Sequence, residues 1–185
     1  MKIIEAPAPP VIPLADIRSH LRLDLLGATT HPDDVLLDGY LAAARDYAEH
    51  YTQRSIGAQT LEIALPAFPD SNIDLPLGVA SITSITYLDT AGTLQTLASN
   101  QYVLNEYSHI SCAYPVTKWP TAGDYTNAVK VRYVTPASFS PAVKTALLLT
   151  VAHLYENREA VGTDRLAEVP LSVDALLNTA RTWQL

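Results

Sequence analysis

A chain of 185 residues with 48% hydrophobic and 17% charged side chains can bury a core without staples and is too apolar for wholesale disorder. The formal net charge is −7, and acidic residues outnumber basic ones in each of the stretches 1–58, 59–136 and 137–185. No basic patch is available for phosphate-driven binding to nucleic acid, although DNA could slide past such a surface because sticking requires a counterion release it cannot supply. Cys112 is the single cysteine, which excludes an intramolecular disulfide and a cysteine-based zinc site. The chain does not open on a charged stretch followed by an apolar one, so no signal peptide is expected. Its apolar runs are broken by Thr150 or too short to span a bilayer, so no membrane helix is expected.

Residues 1–13 contain Pro7, Pro9, Pro10 and Pro13 and read as an extended arm ending at a helix start. A short helix is predicted over about Leu14–Leu23, with Leu14, Ile17 and Leu21 on one face. A loop follows, and Pro32, Asp33 and Asp34 stand where a helix N-terminus favours them. The helix from there to about Gln53 carries one stripe of Leu36, Leu37, Tyr40, Leu41, Ala44, Tyr47, Ala48 and Tyr51. From Gln59 to about Thr135 the period changes to two, as in Leu61, Ile63, Leu65 and in Val129, Val131, Tyr133. Prolines divide this region into short strands, and Asp89–Gly92 reads as a hairpin loop. Helical pattern resumes with Ser140 as cap and Pro141 at the first position, running to about Glu159. A polar loop over 162–168 and a last helix from about Ser172 complete the chain, with Val173, Leu176, Leu177, Ala180 and Trp183 on one face. The expected class is α+β: one domain, with a helical core over 14–58 and 137–185 and a small antiparallel β-rich insertion over 59–136.

The stretch Leu147–Val161, LLLTVAHLYENREAV, is the most telling. Its helix is apolar nearly all round and must be covered on most sides, by its own fold or by neighbouring subunits. It then ends abruptly in Tyr155, Glu156, Asn157, Arg158 and Glu159. These groups can make ion pairs across a subunit boundary, or cap the helix and anchor the loop within one chain; both readings stand. His153 and Glu156 have a spacing that can hold a metal, but no second such pair accompanies them, so packing and capping roles are expected instead. Asp33 and Asp34 read as dipole-stabilising acids rather than catalytic ones, and Cys112 as a buried thiol in a strand. No nucleophile elbow, P-loop, dinucleotide fingerprint or HExxH motif occurs, so neither an enzyme nor a cofactor is expected. Tyrosine dominates the aromatics, which suits surfaces buried on assembly as well as ordinary half-buried positions.

The order of these elements resembles the head–tail connector (adaptor) proteins of long-tailed phages and gene transfer agents. The resemblance runs through PLADIRSHLRL, the helix ending YTQRSI, QTLEI, IDLPLGVASITSITYLD, HLYENREAV and LSVDALLNTARTW. It implies a core of about four helices with a β lobe, and a structural subunit in a homo-oligomeric ring of about twelve copies beneath the portal. Such a ring extends the DNA channel, without sequence-specific binding, and docks stopper or tail-terminator proteins. It also implies a location at the head–tail interface of a virion or phage-like particle assembled in the host cytoplasm. Portal docking maps onto the C-terminal segment, with Leu176, Leu177, Arg181, Trp183 and Leu185 as candidates. The alternatives are another neck or tail-completion protein, or a small metal-dependent hydrolase built on His153 and Glu156.

Overall fold

The computed structural model describes residues 2–5, 11–23, 30–76, 78–105, 111–158 and 171–181. Among them are four α-helices and two antiparallel sheets, a mixed α+β chain. Contacts divide it into a β unit (1–8 and 57–137) and a helical unit (9–56 and 138–185).

In the helical unit, α1 spans Leu14–His20, α2 Asp34–Thr52, α3 Pro141–Glu156 and α4 Leu171–Asn178. Helix α1 stops short of the predicted Leu23 because Arg22 takes a positive φ of 57°, which turns the chain out of the helix. Helix α2 buries Leu37, Leu41, Ala44 and Ala48, while Tyr40, Tyr47 and Tyr51 pack half-buried beside them. It ends where Gln53 adopts the left-handed conformation of a helix C-terminus. Helix α3 starts as its sequence demands: the Ser140 hydroxyl accepts from the Val143 N–H at 3.3 Å, and Pro141 takes the first turn. It packs against α1, α2 and α4, which accounts for its lack of a polar face. Val143, Ala146, Leu147 and Val151 are buried, and the buried Thr150 hydroxyl donates to the Ala146 carbonyl at 2.8 Å. That bond lets a hydroxyl sit in an apolar interface without an unmet donor. Helix α4 contributes Val173 and Leu177, both fully buried, and the Tyr47 hydroxyl donates to Asp174 Oδ1 at 2.7 Å, tying α2 to α4. Burial together with this bond pushes the Tyr47 phenol up to about 12.

Among the described residues of the β unit, eight short strands form. They are β1 (Lys2–Glu5), β2 (Thr60–Leu65), β3 (Ile73–Leu75), β4 (Ser81–Leu88), β5 (Leu94–Leu97), β6 (Tyr102–Asn105), β7 (Ser111–Pro115) and β8 (Val129–Val134). The larger sheet has the order β1-β2-β8-β4-β5 and the smaller β3-β7-β6, with every pairing antiparallel. The period-two pattern of β8 explains its central place. Val129, Val131 and Tyr133 face Leu65, Ile63 and Leu61 on one side and Tyr87, Ile85 and Ile82 on the other. On the opposite face Arg132 pairs with Glu62 at 2.6 Å. The smaller sheet adds Ile73, Leu75 and Ala113 to the same core. Phe68 stacks on Trp119 with centroids 5.2 Å apart and meets Tyr87 edge-on, while the Trp119 N–H donates to the Ser71 carbonyl at 2.8 Å. Residues 2–5, read from sequence as part of an extended arm, form β1 on the sheet edge against β2. Cys112 is buried in β7, its thiol donating to Asp74 Oδ1 at 3.4 Å.

The predicted hairpin loop joins β4 to β5. Asp89 organises it: one carboxylate oxygen accepts from the Ala91 and Thr93 N–H groups, both at 2.9 Å, and the other from Gln95. These bonds hold the Asp89 carboxyl below its ordinary range, with the Gln95 bond the largest cause. Gly123 donates its N–H to the Leu88 carbonyl, and a Cβ there would lie 2.5 Å from the Asp89 carbonyl oxygen. Gly39, by contrast, has nothing within 4 Å of a modest added methyl. Gly123→Ala should therefore cost about 1–3 kcal/mol, because backbone must move, whereas Gly39→Ala in mid-α2 should gain about 1 kcal/mol. Urea unfolding of the two variants checks this; equal midpoints would show that the loop accommodates the methyl freely.

Candidate functional site

The polar burst that follows α3 is held by an acid more than a hundred residues away. The chain leaves helical geometry at Asn157, whose N–H and side-chain amide both donate to the His153 carbonyl, at 3.0 and 2.9 Å. The helix therefore ends at Glu156, before the predicted Glu159. Tyr155 donates its hydroxyl to Asp33 Oδ2 at 2.6 Å, and Arg158 Nη2 donates to the same oxygen at 3.1 Å. The Arg158 guanidinium also lies 4.2 Å from the Tyr155 ring centroid, and its Nε donates to the Tyr155 carbonyl at 3.2 Å. One arginine thus satisfies a helix-end carbonyl, covers an aromatic face and pairs with an acid at the start of α2.

The other side of this knot is built from the residues before α2. Asp33 stands at the N-terminus of α2, where the dipole favours negative charge, but its carboxylate faces α3's end and makes no capping bond to its own helix. The His31 N–H donates to Asp34 Oδ2 at 2.9 Å, and the Asp33 N–H to His31 Nδ1 at 3.1 Å. Asp34 also lies 3.7 Å from Arg18 of α1, and Lys144 of α3 bonds Asp16 of α1 at 2.7 Å. Every helix-joining ion pair among the described residues sits at a helix end.

The Tyr155 hydroxyl, and then Arg158, hold the Asp33 carboxyl below its ordinary range, and the same bond raises the Tyr155 phenol. A carboxylate made more acidic and a phenol made harder to ionise are the reverse of a base poised near neutrality. The arrangement staples helices. Among the described residues no group of three or more His, Cys, Asp or Glu could hold a metal, and His153 and Glu156 gather no further ligand.

Of the residues singled out in the sequence, Tyr155 and Arg158 meet at Asp33, Asn157 caps α3 and Glu156 is exposed. Glu159 lies outside the described residues, as do the loop over 162–168, Trp183 and Leu185. Leu177 is fully buried in the helical core and Leu176 half-buried against it. Arg181 is exposed, its guanidinium 5.6 Å from the Tyr51 ring centroid. Asp33 is the member sequence reasoning did not assign, and its only signal was an acidic pair at a helix start. Leu171, where the segment read for portal docking begins, is 84% exposed at the start of α4.

The described residues thus define a mixed α+β protein whose polar groups brace helices. Residues 11–91 match the family model described as phage gp6-like head-tail connector protein, in line with the resemblance read in the sequence. No curated protein matches. Among solved structures, the chain is similar over 100% of its length to a chain of the virion of a native gene transfer agent particle. That likeness has 24% identity, 96% coverage of the other chain and a TM-score of 0.78. It is similar to a chain of the neck of an empty gene transfer agent particle computed with C6 symmetry, at 25% identity, with 100% of this chain and 97% of that one covered and a TM-score of 0.76. A chain of the neck of the native particle computed with C12 symmetry matches at 24% identity and a TM-score of 0.74, covering 100% and 97%.

Asp33 yields a pH prediction. Its carboxyl is lowered in the folded chain, so its contribution to stability is complete above the unfolded value of 3.8 and disappears as pH falls through the folded value. Tyr155→Phe should return the Asp33 pKa toward its ordinary value and destabilise the chain at pH 7 more than at pH 3. Carboxyl NMR titration with urea unfolding at both pH values is the check. An unmoved Asp33 titration would mean that Tyr155 does not hold it.

Proposed function

We propose that this chain is a structural head–tail connector subunit at the neck of a virion or phage-like particle. The observation that carries this is the joint likeness: a connector family over 11–91, and neck proteins over the whole chain. The subunit acts in a ring of repeated copies, a reading supported by the C6 and C12 symmetries of the similar necks. About twelve copies then sit beneath the portal, extend its DNA channel and present a face to stopper or tail-terminator proteins. The net charge of −7 suits a conduit, since an acidic wall does not hold a passing polyanion. The activity is one of assembly rather than catalysis. In chain order the two units alternate, the β unit supplying 1–8 and 57–137 and the helical unit 9–56 and 138–185, and together they make one connector domain.

Within this reading, the end of α3 lies at the boundary between copies. Tyr155 and Arg158, fixed by Asp33, form its rigid floor, and Glu156, Asn157 and Glu159 supply the groups that meet a neighbour. Portal docking belongs to the segment from Leu171 to Leu185, through Leu176, Arg181, Trp183 and Leu185. Leu177 holds α4 to its own core and supports that surface from beneath.

Electron microscopy of the chain with its portal should show a ring on the portal. Absence of any ring or portal complex under assembly conditions would overturn the reading. Removing residues 179–185, which leaves the buried Val173 and Leu177 of α4 in place, should abolish portal attachment while circular dichroism still reports folded helix and sheet; attachment at the unaltered level would take the docking role away from those residues.

A further inference from the structure

The larger sheet has two free edges among the described residues, β1 and β5, and they differ. Strand β5 reads LQTL, with no charge and no proline, two of the devices by which natural edges avoid pairing with other chains. Its pairing with β4 is also free of a bulge, a third such device. The Asp89 N–H donates to the Thr93 carbonyl, which sets the antiparallel alternation along the pair. Backbone groups of Gln95 and Leu97 therefore turn toward β4, and those of Leu94 and Thr96 turn outward. Leu94 is 64% exposed. Beside it a hollow of about 230 Å³ is lined by Thr86, Leu88, Leu94, Asn127 and Lys130. At the opposite edge β1 shows Ile3 and Ile4 to solvent, and a bulge between Ile3 and Glu5 keeps its regular stretch short.

Strand sense decides what these edges can join. Neighbours alternate across five strands, so β1 and β5 run in the same direction. A rotation that sets β1 of one copy beside β5 of the next makes a parallel, head-to-tail contact and leaves the same two edges for the following copy. Two β5 edges facing each other would instead make an antiparallel, isologous pair that closes at two.

We propose that in the assembled protein β1 of one copy adds to the β5 edge of the next, with Ile4, on the same outer face of the sheet as Leu94, covering Leu94 and the hollow beside it. This rests on the ring reading above. The occupant is a second copy because this chain carries both halves of the contact, and because a ring requires two different faces on each subunit.

The full chain is tested under the conditions in which it forms rings. Ile4→Cys combined with Leu94→Cys should give, after oxidation, a ladder of covalent multimers on a non-reducing gel; Cys112 is buried and adds little background. Leu94→Lys should leave circular dichroism unchanged and abolish rings, since the altered side chain is exposed. Thr96→Pro, which removes an outward N–H only, should do the same. Covalent dimers from Leu94→Cys alone would indicate the isologous pair and overturn the proposal. Rings at full yield from Leu94→Lys and Thr96→Pro, with no ladder from the double variant, would overturn it and leave the ring reading intact. Normal rings that lose another neck component would reassign the edge to a different protein and overturn it equally. Failure of the unaltered chain to form any ring, even with its neck partners, would overturn both.

Discussion

The helical unit depends on the need to cover α3 on most sides. A helix whose apolar residues do not fall on one face gains nothing from lying on a surface, so its neighbours must wrap it. Helices α1, α2 and α4 do this, contributing Ile17, Leu37, Leu41, Ala44, Val173 and Leu177 to one continuous core. Such packing is non-directional and would tolerate sliding of one helix along another. The polar contacts at helix ends remove that freedom: Lys144 with Asp16, Arg18 beside Asp34, and Tyr155 with Arg158 on Asp33. Exposed ion pairs add little stability singly, and their value here is in fixing which helix end meets which.

The β unit solves a different problem. Its strands are short, three to eight residues, and among the described residues neither sheet has an α-helix of its own unit to cover it. Two sheets therefore share one core, with Tyr133, Val131 and Val129 of the central strand meeting Ile73, Leu75 and Ala113 of the smaller sheet. Phe68, Trp119 and Tyr87 fill one part of that core with large, geometrically selective surfaces. The result leaves edges and outer faces available, among them β5 and the exposed Val103–Tyr114 cross-strand pair of the smaller sheet.

These two solutions suit a protein that works by being placed. The bonds of the knot around Asp33 hold its carboxylate charged and the Tyr155 phenol protonated.

The sequence by itself determined the elements whose cause is local. The Ser140–Pro141 start, the stripe of α2, the alternation of β2 and β8 and the Asp89–Gly92 turn each follow from residues within one turn or one strand. The order of those elements also carried the family resemblance. Tertiary structure alone decided what depends on contacts distant in the chain. Division of the strands into two sheets could not be read, because alternation says which face is buried and not which strand lies beside it. Residues 2–5 joined β2 although prolines follow them, since pairing with an available edge outweighs composition. The bond from Tyr155 to Asp33 was equally invisible: sequence shows a polar burst and an acidic pair, and only the packing of α2 on α3 brings the two within 2.6 Å.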